Sequence, residues 1–251
     1  MKVRKAYGEI FLLPSLFTLS NLFCGFLSIL MTFHGRYRLA AFLIIIAAIF
    51  DAMDGIVARM TDAGSDFGIQ LDSLSDTVSF GAAASFLLYF WGLKNLQTLG
   101  LVVSFLFLAA AVIRLARYNI RTKAQPDRRT YQGLTVPSAS LFLASVVIFL
   151  PASLSSLWEA LPMAGLTLFL ALCMVSAIPY KNYLNINFRR KISARTVLFM
   201  AVILGGLVFY HKIFLLVFFG MNALSGPFQA LIRMLKKKQK SEDPVAVKPV
   251  E

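Results

Sequence analysis

The sequence predicts an all-α integral membrane protein, a helical bundle of about eight transmembrane helices. Three observations lead there. Mean hydropathy is +0.73, and of 251 residues 58% are hydrophobic and only 15% charged. The apolar residues fall into runs long enough to cross a hydrocarbon layer about 30 Å thick. The basic residues lie between those runs, as they do beside membrane spans rather than on a soluble domain.

Residues 1–11 are basic with scattered apolar side chains and are expected to form a short interfacial helix. The apolar run that follows is too long for a cleavable leader and lacks a small-residue cleavage site, so it is expected to remain as a span. Spans are expected at approximately 12–33, 39–59, 69–91, 97–118, 134–152, 161–180, 195–210 and 213–234. The last two are separated only by a short turn at His211 and Lys212. One membrane domain, residues 1–235, is therefore expected. The remaining segment, 236–251, is charged, contains Pro244 and Pro249, and reads as a disordered basic tail. Cys24 and Cys173 fall inside predicted spans in no metal or redox pattern and are expected to pack as small residues. No internal repeat is present.

Charge orients the bundle. With both ends on one side, that side collects 21 of the 25 basic residues, and the other holds Arg36, Arg38, Lys94 and Lys212. The positive-inside rule then puts both termini at the cytoplasmic face of the cell membrane. The net charge of +13 is better matched to lipid headgroups and phosphate substrates than to nucleic acid, which is not expected as a partner.

The chain's most informative stretch is DAMDGIVARMTDAGSDFGIQLDSLSD, from Asp51 to Asp76. Asp51, Asp54 and Ala58 share one face of a helix, and Gly68, Asp72 and Asp76 share a face of the next. Two helices thus aim two carboxylates each at one place, at the cytoplasmic face in this orientation. Like charges about 4 Å apart repel by roughly 4 kcal/mol at an effective dielectric near 20, so four ionised acids require cations. Oxygen ligands without His or Cys favour hard Mg²⁺ or Mn²⁺ over zinc, and four acids suffice for two such ions. Hard ions in turn favour a phosphate substrate. Gly55, Ala58 and Gly68 remove bulk beside the acids, admitting helix backbones or a flat nucleotide. Arg59 offers a fork for phosphate. The competing reading has these acids pair with Arg59 and cap helix ends in a loop. Ionisable residues within the membrane are functional by default, which favours the first.

The skeleton Asp-x-x-Asp-Gly-x-x-Ala-Arg, eight residues, then Gly-x-x-x-Asp-x-x-x-Asp, resembles the signature of the CDP-alcohol phosphatidyltransferases at every fixed position. LPSLFTLSNLFCGFLSI, LDSLSDTVSFG, RLARYN, YQGLTVPSAS and ALSGP are similar to the bacterial and archaeal branch that uses CDP-diacylglycerol with L-serine. The likeness covers nearly the whole chain. It departs at Pro14-Ser15, where Pro-Asn is usual, and around Thr135 and Ser138.

The resemblance implies a six-helix catalytic core, a cavity open to the cytosol and the bilayer, and a homodimer. It implies transfer of a phosphatidyl group from CDP-diacylglycerol to L-serine with release of CMP, in phospholipid biosynthesis. Asp51, Asp54, Asp72 and Asp76 would hold the metal, and Asp76 would also act as general base on the serine hydroxyl. Gly55, Ala58, Arg59 and Gly68 would bind the CDP moiety. Arg114, Arg117 and Asn119 are candidates for acceptor binding, against the alternative that the arginines anchor their span to lipid phosphates. Thr18 and Asn21 either face the site or bridge helices. Phe42, Leu87 and Phe105 either line the lipid route or face the bilayer. Glycerol phosphate or an inositol phosphate is the alternative acceptor, and a cation transporter the alternative class.

Overall fold

The computed structural model describes residues 2–60, 65–124, 130–150, 152–176, 179–181, 213–221 and 223. The seventh expected span, the C-terminal tail and the basic residues Arg128, Arg129, Arg189, Arg190 and Lys191 lie outside the described residues, as does the side chain of Arg59.

Helix α1 runs Lys2–Phe33 and α2 Tyr37–Met60. Helix α3, Asp66–Asp76, continues without a break through a π-helical turn Thr77–Ala82, α4, Ala83–Leu88, and a second π turn Tyr89–Leu93. Helix α5 spans Thr98–Ala124, α6 Val136–Phe149 and α7 Leu157–Val175. A further helix covers 213–221. One short antiparallel pair joins β1, Thr130–Gln132, to β2, Pro179–Lys181. The described residues are thus almost wholly helical, and the chain is an all-α integral membrane protein. Four stretches within α1, α2, α5 and α7 are long and apolar enough to cross a membrane.

The differences from the expected spans have local causes. The N-terminal segment is continuous with the first span, so α1 has 32 residues and no separate interfacial helix forms. The third span starts earlier because Ser65 caps it, accepting a hydrogen bond from the Gly68 amide at 2.9 Å. Helix α7 starts at Leu157 rather than 161 because Ser156 and Glu159 form a reciprocal capping box. At 14 residues α6 is about 21 Å long, short of the hydrocarbon thickness.

Small residues let the helices approach. Helix α1 packs along α2, α5 along α7, and α2 against α6. Ala40, Ile44 and Ala47 form one buried face of α2, and Ala139, Leu143 and Ala144 the buried face of α6. Both cysteines are buried, as expected for packing residues. Leu87 is buried in the core, whereas Phe42 and Phe105 are exposed on the outer surface, so among the three only the two phenylalanines present themselves to lipid.

Chain direction alternates. Ser28 Oγ near the end of α1 donates to the Ala40 carbonyl near the start of α2, so these helices are antiparallel. Thr18, Asn21, Asp51, Asp54, Asp72, Asp76 and Asn119 consequently gather at one end of the bundle. Gly35, Trp91 and Leu154 mark the other.

Candidate active site

Helix α2 carries Asp51 and Asp54 one turn apart near its C-terminal end, and α3 carries Asp72 and Asp76 one turn apart. Asp51, Asp72 and Asp76 each offer a carboxylate oxygen, and these oxygens lie within 4.8 Å of one another. Asp54 sits beside them on α2, buried, and accepts a hydrogen bond from Thr18 Oγ1 at 2.9 Å. Asp76, also buried, accepts one from Asn21 Nδ2 at 3.1 Å.

Helix α1 therefore supplies donors to an acid on each neighbouring helix, and Thr18 and Asn21 face the site while bridging helices. A hydrogen bond to a charged acceptor contributes about 1.5–3 kcal/mol, so each donor also fixes its carboxylate's direction. Gly25, one turn beyond Asn21, brings α1 close enough: a Cβ there would collide with the main chain of Ser79. Ser79 Oγ in turn donates to the Asn21 carbonyl at 2.9 Å. Ser79 lies in the π turn that begins immediately after Asp76, and Ser140 Oγ of α6 donates to the Phe80 carbonyl of the same turn. Such turns recur at functional sites because they redirect side chains without ending the helix.

The donor set fits a hard divalent cation. Three converging carboxylates would repel one another without positive charge between them. Asp72 Oδ1 is buried with no hydrogen-bond partner, an expensive state for a carboxylate oxygen unless an ion takes that position. Carboxylate oxygens suit Mg²⁺-like ions and not soft metals.

Gly55 and Ala58 lie half-buried on α2. Among the described residues, a Cβ at Gly68 would meet only Ser65 Oγ within 4 Å, at 3.3 Å, so no other described helix packs closely there. Asn119 and Ser73 hydrogen-bond each other, Asn119 Nδ2 donating to Ser73 Oγ at 2.9 Å. This ties the end of α5 to the residue after Asp72. Arg117 Nη1 donates to the Val175 carbonyl at 2.7 Å, completing the C-terminus of α7. Arg114 is buried, its guanidinium 5.7 Å from the Tyr118 ring centre.

Sequence reasoning missed Ser73, Ser79 and Gly25. For Gly25 a signal existed: a glycine one turn after a polar residue inside an apolar span.

Residues 11–178 match the CDP-alcohol phosphatidyltransferase family, and the chain belongs to that family. Among its relatives, the CDP-diacylglycerol–serine O-phosphatidyltransferase of Helicobacter pylori (strain J99) is 33% identical over 236 residues, 91% of this chain and 95% of the relative. The protein of the same name from Bacillus subtilis is 30% identical over 171 residues, 68% of this chain and 90% of the relative. The archaetidylserine synthase of Methanothermobacter thermautotrophicus is 31% identical over 170 residues, 67% of this chain and 69% of the relative.

Proposed function

We propose that this chain transfers the phosphatidyl group of CDP-diacylglycerol to L-serine, releasing CMP. The observation that carries the reading is the convergence of Asp51, Asp72 and Asp76, with a buried Asp72 oxygen lacking a partner, in a chain whose family acts on CDP-alcohols. The likeness to relatives named for the serine reaction extends along most of the chain and supports the acceptor.

Asp51, Asp54, Asp72 and Asp76 would hold Mg²⁺ or Mn²⁺, with ligands enough for two ions. When bound, these ions neutralise charge on the pyrophosphate oxygens and ease departure of CMP. Gly55, Ala58 and Gly68 leave room for the nucleotide, and Arg59 takes a phosphate. The serine hydroxyl attacks phosphorus directly, forming the new P–O bond as the bond to CMP breaks. Asp76 takes the hydroxyl proton, its carboxylate aimed by Asn21. Arg114, Arg117 and Asn119, in the C-terminal half of α5, are the candidates for holding serine; Asn119 is tied to α3 through Ser73, and Arg117 to the end of α7 through the Val175 carbonyl. The distribution of basic residues, 21 against 4, supports a cytoplasmic site in the cell membrane with both termini on that side. We also assign the protein as a homodimer, on the family resemblance alone.

The test uses membranes carrying the protein, labelled CDP-diacylglycerol and a divalent ion, with serine, glycerol phosphate or an inositol phosphate offered in turn. CMP release is expected with serine. Release with a phosphorylated acceptor and none with serine overturns the assignment.

A further inference from the structure

The end of the bundle opposite the acids contains a cavity. Helix α1 ends at Phe33 and the chain reverses through Gly35, whose amide donates to the Thr32 carbonyl at 3.0 Å while that of Arg36 donates to Met31 at 2.9 Å. Gly35 adopts φ 71°, which a glycine reaches without strain. The reversal sets Arg36 and Arg38 on the rim of a cavity of about 400 Å³. Its apolar lining includes Trp91, Val147 and Leu150, and Ser153 lies on the rim. Trp91 and Val147 are buried, while both arginines are exposed. Neither guanidinium is paired with a carboxylate among the described residues.

The aromatic residues around the cavity support a depth where headgroups lie. Exposed Phe33 packs on Phe86 and Phe90, with ring centres 5.7 and 5.0 Å away. Trp158, at the start of α7 on the same end, is 84% exposed. Tyr37 lines the cavity itself, and Trp and Tyr, with an apolar ring and a polar tip, are the side chains that gather where hydrocarbon meets headgroups.

We propose that this cavity binds the phosphate of an anionic phospholipid in the leaflet opposite the acidic site. Two planar forks on one rim suit a phosphate oxygen pair, and Trp91, Val147 and Leu150 below them suit the glycerol and upper acyl carbons. A headgroup without a compensating ammonium suits two positive charges best, and basic pockets between spanning helices bind anionic headgroups for this reason. The volume fits a headgroup rather than a whole lipid. The inference is independent of which acceptor the acidic site uses.

The full chain in detergent is titrated with phosphatidylglycerol, phosphatidylcholine or inorganic phosphate, and bound adducts are read by native mass spectrometry. Retention of phosphatidylglycerol over phosphatidylcholine is expected. Arg36→Gln combined with Arg38→Gln should lower phosphatidylglycerol retention about tenfold. Ser153→Trp, which fills the mouth but keeps both arginines, should do the same. Lys94→Gln, on this face but outside the cavity, should leave retention within about twofold. Retention unchanged in the arginine and Ser153 variants overturns the site. Inorganic phosphate that binds through the same arginines and displaces the lipid overturns the lipid assignment in favour of a soluble phosphate ligand.

Discussion

The two ends of the bundle are tied together by different chemistry. At the acidic end three links between helices run from side chain to side chain, Thr18 to Asp54, Asn21 to Asp76 and Asn119 to Ser73, beside the side-chain-to-carbonyl bonds of Ser79 and Arg117. At the opposite end they run through main chain. The Leu154 amide donates to the Trp91 carbonyl at 3.1 Å, Asn95 Nδ2 donates to the Leu154 carbonyl at 2.7 Å, and Gly100 lies against the Leu93 carbonyl. Buried polar atoms without a partner follow this division only in part. Asn21 Oδ1, Asp72 Oδ1 and Ser75 Oγ lie at or beside the acids, while Ser85 Oγ of α4 lies farther along toward the other end. The two ends therefore make opposite demands: the acidic end gathers carboxylates that call for positive charge where a ligand must enter, and the other presents Arg36 and Arg38 above a framework of main-chain bonds.

The strongest way to break this comparison is to neutralise the acids. Asp51→Asn, Asp54→Asn or Asp72→Asn should each raise the barrier by more than about 3 kcal/mol, over a hundredfold in rate, since each removes an anionic oxygen from the proposed metal set. CMP release at saturating substrate and ordinary metal concentration measures it. Near-normal turnover in any one variant would remove that residue from the ligand set.

Asp76 tests whether the same end also moves a proton. Asp76→Asn should cut turnover by about a hundredfold or more while CDP-diacylglycerol binding changes little. Titrating Mg²⁺ or Mn²⁺ in the variant separates the roles. Full recovery of CMP release in excess metal would leave Asp76 as a ligand only.

Much of the acidic end was legible because its determinants are local. Asp51 with Asp54, and Asp72 with Asp76, lie one helical turn apart, and helical periodicity alone puts each pair on one face. Four of the expected spans, those in α1, α2, α5 and α7, were legible from apolar length, and Ser65 and the Ser156–Glu159 box moved two helix starts. What the sequence hid are long-range contacts. Ser73 meets Asn119 across 46 positions and Ser79 meets the Asn21 carbonyl across 58, and no periodicity encodes such partners. The π turns were hidden too: the first packs against α1, α5 and α6 and the second against α5 and α7, and no residue's intrinsic preference encodes such a turn. Phe42 and Leu87, alike as apolar residues within spans, separate into surface and core only when neighbouring helices are in place.

Gly25 links local sequence to that long-range assembly. Gly25→Val should destabilise the protein by about 1–3 kcal/mol, because the new side chain overlaps Ser79 main chain that cannot rotate away. It should also lower turnover, since Asn21 can no longer stay over Asp76. Thermal unfolding and CMP release on one preparation measure both. Unchanged stability would show that α1 and the π turn do not need their present close approach.

The smallest effects give the sharpest comparison, because one hydrogen bond is removed at each end. Ser156→Ala takes away the side-chain cap of α7 and should cost about 1 kcal/mol of stability, seen as a lower unfolding temperature. Turnover should stay within about twofold, since that bond serves only the scaffold. Thr18→Val preserves shape but removes the donor to Asp54. It should lower turnover about tenfold with a smaller change in unfolding temperature, as misdirecting one carboxylate weakens a metal site without unpacking a helix. Measuring both variants for both quantities gives four numbers, and the expected pattern is crossed. If Ser156→Ala depresses turnover as much as Thr18→Val does, the two ends are mechanically coupled. The division between scaffold and site then fails, and the capping box must be counted among the supports of the carboxylates.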